Sequence, residues 1–303
     1  MQGEVAAPAP APSPGPAVTP QPAPAPVSTP AKHHGRKAGA HHRGHRQFGA
    51  SRMGLRSRGL SWRSKGGRDI GWPQCPGDIG FRGRNGLGQP LPDPGVRFVI
   101  VGLTNGRAFT PNPCLNLHLR WVRSHHVHAA AYAFATYPTR GQLRRYRHGG
   151  PYDGRHLLGA LANVGHATAR YNVRVMRDHG FVTPHVWLDV EPSSSRPWSG
   201  RSARNRAVVR GWIRGYRDAG YTVGFYSTQS LFRHILGRMR LGLPEWRTGG
   251  PVSPRAALRK CRGDSIQGGR AVIAQWWTNH RDFDRLCPGP DRATTLTRYF
   301  HQW

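Results

Sequence analysis

The sequence predicts an α/β protein, a TIM-like (β/α) barrel reached through a long disordered N-terminal tail. Short apolar runs rich in β-branched residues recur from residue 69 onward. Helix-compatible stretches separate them, and strands alternating with helices imply a parallel sheet covered by helices. At least six such runs over about 220 residues fit a barrel. A doubly wound open sheet is the competitor, but no GxGxxG follows the first strand, which weakens its dinucleotide-binding form.

Each segment has its own reason. Residues 1–30 hold 10 of the 27 prolines, which fix φ and remove backbone donors, so this is an extended, disordered spacer. Residues 31–68 turn to Lys, Arg, His, Gly and Ser without hydrophobic periodicity, a basic disordered linker. The barrel domain spans 69–290, and 291–303 is a C-terminal extension. Within the domain, Asp69–Ile70 opens the first strand. RFVIVGL (97–103), HAAAYAF (128–134), PHVWLDV (184–190), YTVGFY (221–226) and RAVIAQW (270–276) are the next strand candidates. Residues 113–124, 155–179, 204–220 and 229–239 are helix candidates. The third of these places Val208, Val209, Trp212, Ile213 and Tyr216 on one face, with Gly220 at the C-cap position.

Charge narrows the partners. Lys and Arg total 45 against 14 acids, a net +31, and 45 − 11 = 34 bases against 13 acids still lie beyond residue 68. Such a surface suits polyanions, including the anionic polymers of a cell wall. Specific nucleic-acid binding is disfavoured, since no zinc-finger spacing, recognition helix or ordered stacking pattern occurs. No stretch of 18 apolar residues exists, so no spanning helix is expected. Cys75, Cys114, Cys261 and Cys287, spaced 39, 147 and 26 apart, do not resemble a zinc site. Two disulfides are expected, sequential pairing being the simplest of three connectivities, with reduced, partly buried cysteines as the alternative. Disulfides point to a secreted or wall-associated protein, although no apolar signal segment is visible at the start of this chain.

With so few acids, their positions carry information. Asp69 sits at the first strand, Asp189 and Glu191 at the end of WLDVEP, and Asp282 and Asp284 in a loop-like segment after RAVIAQW. C-terminal strand ends form the mouth of a barrel, and the period of two puts Asp189 and Glu191 on one side. Paired carboxylates suit acid catalysis at a glycosidic bond. Trp72, Tyr132, Phe134, Tyr226 and Trp276 lie at or near the same strand ends, as aromatic faces for sugar rings. His125, His126 and His128 enter a strand at the opposite end, so no metal is expected. Neither H-E-x-x-H nor a G-x-S-x-G elbow occurs.

Asp69, LDVEP (188–192), AYAFA (131–135), GFYST (224–228) and AQWW…DFDRL (274–286), in this order over about residues 68–290, resemble the glycoside hydrolase family 25 lysozymes. The DIGWPQC opening and Asn112–Pro113–Cys114 look like a secreted actinobacterial branch. The resemblance implies an irregular TIM-like barrel that cleaves the β-1,4 bond between N-acetylmuramic acid and N-acetylglucosamine in peptidoglycan. It assigns Glu191 as general acid and Asp189 as the residue that orients the substrate N-acetyl group or assists a water. Asp69 and Asp282 complete the catalytic set, Tyr226 matches the Y-S strand end, and no cofactor is required. Two positions depart from the family. Asn105 in GLTNG stands where a glutamate is common, and Tyr132–Ala133–Phe134 lacks the histidine of Y-H-F. The alternative function is therefore a non-catalytic, glycan-binding barrel. A monomer is expected.

Overall fold

Phe98–Gly102 and His185–Asp189 are buried along their whole length, as apolar strands flanked by helices outside and by packed side chains inside must be. They belong to a computed structural model that describes residues 66–81, 84–193, 197–278, 281–289 and 292–303. The segment 1–30, the segment 31–68 up to residue 65, and Ser194 and Ser195 lie outside the described residues.

In chain order the strands are β1 (Gly67–Ile70), β2 (Gly80–Phe81), β3 (Arg84–Asn85), β4 (Phe98–Gly102), β5 (His128–Phe134), β6 (His185–Asp189), β7 (Thr222–Ser227), β8 (Glu245–Thr248), β9 (Ala271–Thr278), β10 (Arg281–Leu286) and β11 (His301–Gln302). The helices are α1 (Leu115–Ser124), α2 (Arg140–Tyr146), α3 (Leu157–Asp178), α4 (Ser202–Arg217), α5 (Gln229–Leu236), α6 (Pro254–Arg259) and α7 (Arg292–Tyr299). Among the described residues, eight strands close the barrel in the order β1, β4, β5, β6, β7, β8, β9, β10. Neighbours are parallel from β1 through β9, while β10 runs antiparallel to both β9 and β1. The protein is thus an irregular (β/α) barrel.

Two of these strands do not follow from the sequence pattern. The segment with Asp282 and Asp284, read as loop-like, is β10, whose alternating charges hide its pairing with β9. Strand β8 carries Glu245 and Arg247 among four residues, too short and too polar to stand out. Its charges are tolerated because they pair with each other at 2.7 Å. The first strand begins at Gly67, two residues ahead of the expected boundary. Residues 292–303 contribute α7 and β11, and β11 pairs with β5.

Alternation along β4 divides the core. Val99 and Val101 face the helices, while Phe98 and Ile100 face the barrel interior. Phe300 packs on Phe98 at 4.9 Å between ring centroids, and Tyr299 meets Trp187, so α7 plugs the N-terminal end of the barrel. On α4, Val208, Val209, Trp212, Ile213 and Tyr216 are all buried, and Gly220 adopts φ +87° after the helix end. Helices α3 and α4 approach closely at Gly165 and Gly211, where a Cβ would collide with a backbone carbonyl of the other helix. The cysteines form Cys75–Cys114 and Cys261–Cys287. The first bond ties the loop after β1 to the start of α1, and the second ties the turn after α6 to the end of β10. No helix among the described residues is long and apolar enough to cross a membrane.

Candidate active site

With one end of the barrel plugged, the open end is the mouth formed by the C-terminal ends of the parallel strands. A cleft of about 1010 Å³ opens there. β1 brings Asp69, β6 ends in Asp189, and Glu191 follows two residues later. Asp282 comes from the first half of β10. All four line the cleft, together with Tyr132 of β5 and Tyr226 of β7. Tyr132 fits because Gly71 and Gly102 lack side chains. A Cβ on Gly102 would sit 2.9 Å from its ring, and one on Gly71 would sit 2.6 Å from its hydroxyl. The Trp198 indole donates to the Glu191 carbonyl at 2.9 Å and holds the chain where it leaves β6.

A hydrogen-bond chain runs across the cleft floor. The Tyr226 hydroxyl donates to Gln275 Oε1 at 2.7 Å, and Gln275 Nε2 donates to Asp69 Oδ2 at 2.8 Å. Asp284 stands opposite Gln275 on β9, and its carboxyl and that of Asp69 act on each other. Asp284 Oδ1 in turn accepts the Trp246 indole N–H at 2.7 Å. Trp246 packs against Tyr226 at 4.4 Å between ring centroids.

Burial and mutual repulsion raise the carboxyl pKa values throughout. Burial, then the charge of Asp282, pushes Glu191 up to about 7. Burial and Asp69 push Asp282 up to about 8, against the opposing pull of Arg68. Asp189 is held well above the ordinary range by burial, Glu191 and Asp69, and its Oδ1 has no hydrogen-bond partner among the described residues. Asp69 is likewise raised well above the ordinary range, by burial and by Asp284. These groups titrate as a set, and the cleft holds protons at neutral pH. Such a site can deliver a proton to a leaving oxygen while keeping a carboxylate beside a developing cation.

Of the aromatic residues predicted from the sequence, Tyr132 and Tyr226 line the cleft, and Trp72, Phe134 and Trp276 do not. Asn105 is buried and its N–H binds the Thr110 carbonyl, again off the cleft lining. Trp276 points to the opposite face of β9, stacked on Phe283 at 5.5 Å. Its neighbour Trp277 lines the cleft, partly exposed, on the same side as Gln275. The period of two could have shown this, because residues 275 and 277 share a face. Trp246, Gln89 and the Pro251–Pro254 wall left no sequence signal, since β8 itself was not legible. Among the described residues, three potential metal ligands come together only at Cys75, Cys114 and His118, and both sulfurs there are bonded to each other.

No family model matches the sequence, and no curated protein matches it. Solved structures do resemble the fold. A muramidase from Acremonium alcalophilum is 15% identical, with 77% of this chain and 99% of that chain covered and a TM-score of 0.50. A muramidase from Trichobolus zukalii is 17% identical over the same shares, at a TM-score of 0.48. A family GH25 lysozyme from Aspergillus fumigatus is 14% identical, covering 77% and 98%, at 0.46. At this level of identity the likeness concerns the barrel fold.

Proposed function

We propose that this protein is a glycoside hydrolase of the family 25 type that cleaves the β-1,4 bond between N-acetylmuramic acid and N-acetylglucosamine in peptidoglycan. The observation that carries the proposal is the convergence of Asp69, Asp189, Glu191 and Asp282 on one cleft walled by Tyr132, Tyr226 and Trp277. Four acids out of 14 in a chain of net charge +31 are poorly explained by solubility. The muramidase description of the Acremonium alcalophilum structure, which resembles this barrel, points the same way.

Glu191 is the general acid. With its pKa near 7 it carries a transferable proton at neutral pH and can pass it to the glycosidic oxygen. Asp189, on the same side of the strand end, orients the substrate N-acetyl group or a water. Asp69 and Asp282 line the cleft beside the position of the oxocarbenium-like centre, and Trp277 offers a face to a sugar ring. The two disulfides fit a secreted or wall-associated protein. The basic surface fits retention on anionic wall polymers, which should weaken steeply as salt shortens the screening length to about 8 Å.

The test is release of reducing ends from purified peptidoglycan by the wild type and by Glu191→Gln. Cleavage by the wild type that is lost in the variant supports the proposal. Binding of glycan strands without cleavage by the wild type would replace it with a glycan-binding barrel.

A further inference from the structure

Asp284 is a carboxyl group that the proposed chemistry leaves unused. It sits one strand pair below Asp282 on the same face of β10, in register with Gln275 of β9 and with Gly67 of β1. Its side chain is fully buried. The Trp246 indole can only donate, so Asp284 Oδ1 must accept. Oδ2 meets no donor among the described residues, and Asp284 stands opposite Gln275, whose side chain bonds Asp69. On the Asp69 side the polarity is also fixed. Tyr226 donates to Gln275 Oε1, which leaves the Gln275 amide N–H to donate to Asp69 Oδ2. The chain of donors therefore arrives at two carboxyl groups from both ends, and two acceptors attract each other only if a proton lies between them.

We propose that Asp284 is a positioning residue, which shares a single proton with Asp69 across the cleft floor and thereby fixes both the Asp69 carboxyl and the Trp246 wall. The pair then carries one negative charge instead of two. This inference rests on the reading of the cleft as a hydrolase site only for its effect on rate; the shared proton stands on the burial of Asp284, its unpartnered Oδ2, and its place opposite Gln275, which bonds Asp69. The charged and titratable surroundings agree with it. Arg68, on β1, is the cation that acts on Asp284, and Asp282 is the further anion that does so. Asp189 on β6 and Tyr132 on β5 both interact with the charge of Asp69. One cation against this many acids cannot hold both members of the pair ionised. Burial pushes Asp284 up to about 7, even after the interactions with Asp69 and Trp246 lower it, and burial holds Asp69 well above the ordinary range.

The decisive variant is Asp284→Asn. Its amide oxygen can keep the Trp246 bond and its NH₂ can donate to Asp69, so shape and network survive while the second carboxyl disappears. In carbon-13 carboxyl NMR titrations of the full chain, Asp69 and Asp284 of the wild type should titrate together. In Asp284→Asn, the Asp69 signal should move downward by about one pH unit or more, the size expected when a like charge in contact is replaced by a donor. Unlinked titration in the wild type, or an Asp69 midpoint that stays put in the variant, would overturn the proposal. The rate arm uses peptidoglycan. Asp284→Asn should keep kcat within about threefold at pH 5, whereas Asp284→Leu should lose on the order of tenfold or more in kcat with a smaller change in KM. Equal losses in the two variants would count against positioning by a shared hydrogen bond. A wild type that shows linked titration yet cleaves nothing would retain the proton pair and defeat the hydrolase reading.

Discussion

Glu245, buried, and Glu191, half-buried, are glutamates at strand ends of the same barrel, and they are in opposite states. Glu245 is fully buried. Burial pushes its pKa up, but Ser265, the N–H groups of Gln267 and Ile266, and Arg247 more than offset that and hold it below the ordinary value. The Arg247 bond is 2.7 Å, and the Gly269 N–H adds a further contact at 2.9 Å. Among the described residues Glu191 has no cation against it and faces Asp282 instead, and burial pushes it up to about 7. Burial alone therefore does not decide whether a carboxyl keeps its proton. The number of donors aimed at it does. Around Glu245 the chain spends its donors on fastening the loop at 265–269. At the mouth it withholds them, and that leaves protons available for chemistry.

The largest expected effect separates the two glutamates by kind. Glu191→Gln should lower peptidoglycan cleavage by about 10²–10⁴-fold with little change in thermal unfolding. An equally active variant would sink the general-acid assignment. Glu245→Ala should do the reverse. It strands Arg247 and five other bonds, and should cost about 3–5 kcal/mol in a urea titration. Unchanged stability would mean that the ion pair is not what closes that loop.

The pH dependence of stability sharpens the same contrast. Glu191 and Asp284 near 7 and Asp282 near 8 bind protons more tightly folded than unfolded. Their contribution is fully present below the ordinary carboxylate range and is lost as the pH rises through 7 to 8. Glu245, with its lowered pKa, contributes stability above its ordinary value of 4.5 that is lost as the pH falls. Urea midpoints should therefore fall between about pH 5 and pH 8.5, and the fall should shrink in Asp284→Asn. A midpoint that rises over that range would contradict the protonated cleft.

The smallest expected effect concerns the aromatic wall. Trp277→Ala should raise KM for glycan strands by about two- to tenfold, in line with about 0.5–1.5 kcal/mol for an aromatic contact. Its effect on stability should stay near about 0.5 kcal/mol, because Trp277 is 37% exposed. If KM is unmoved, the sugar path lies along the Tyr132 side of the cleft.

The strand and helix rhythm, the buried face of α4 and the pairing of Asp189 with Glu191 were legible in the sequence, because each is written in local periodicity. Asp69 and Asp282 were legible as rare acids in a basic chain and as positions that resemble the ordered motifs of the family 25 lysozymes. Trp276 and Trp277 end the same run and the period of two sets them on opposite faces, while the pairing of β9 with β10 decides which of those faces looks into the cleft. The charged strands β8 and β10 were invisible, as their polar residues are satisfied by partners distant in the chain. Tertiary structure alone decided that Asp284, 215 positions after Asp69, comes opposite Gly67 on the strand that carries Asp69. Periodicity fixes what each segment presents. Which buried carboxyl finds a donor, and which must keep a proton, depends on the other strands that closure of the barrel brings against it.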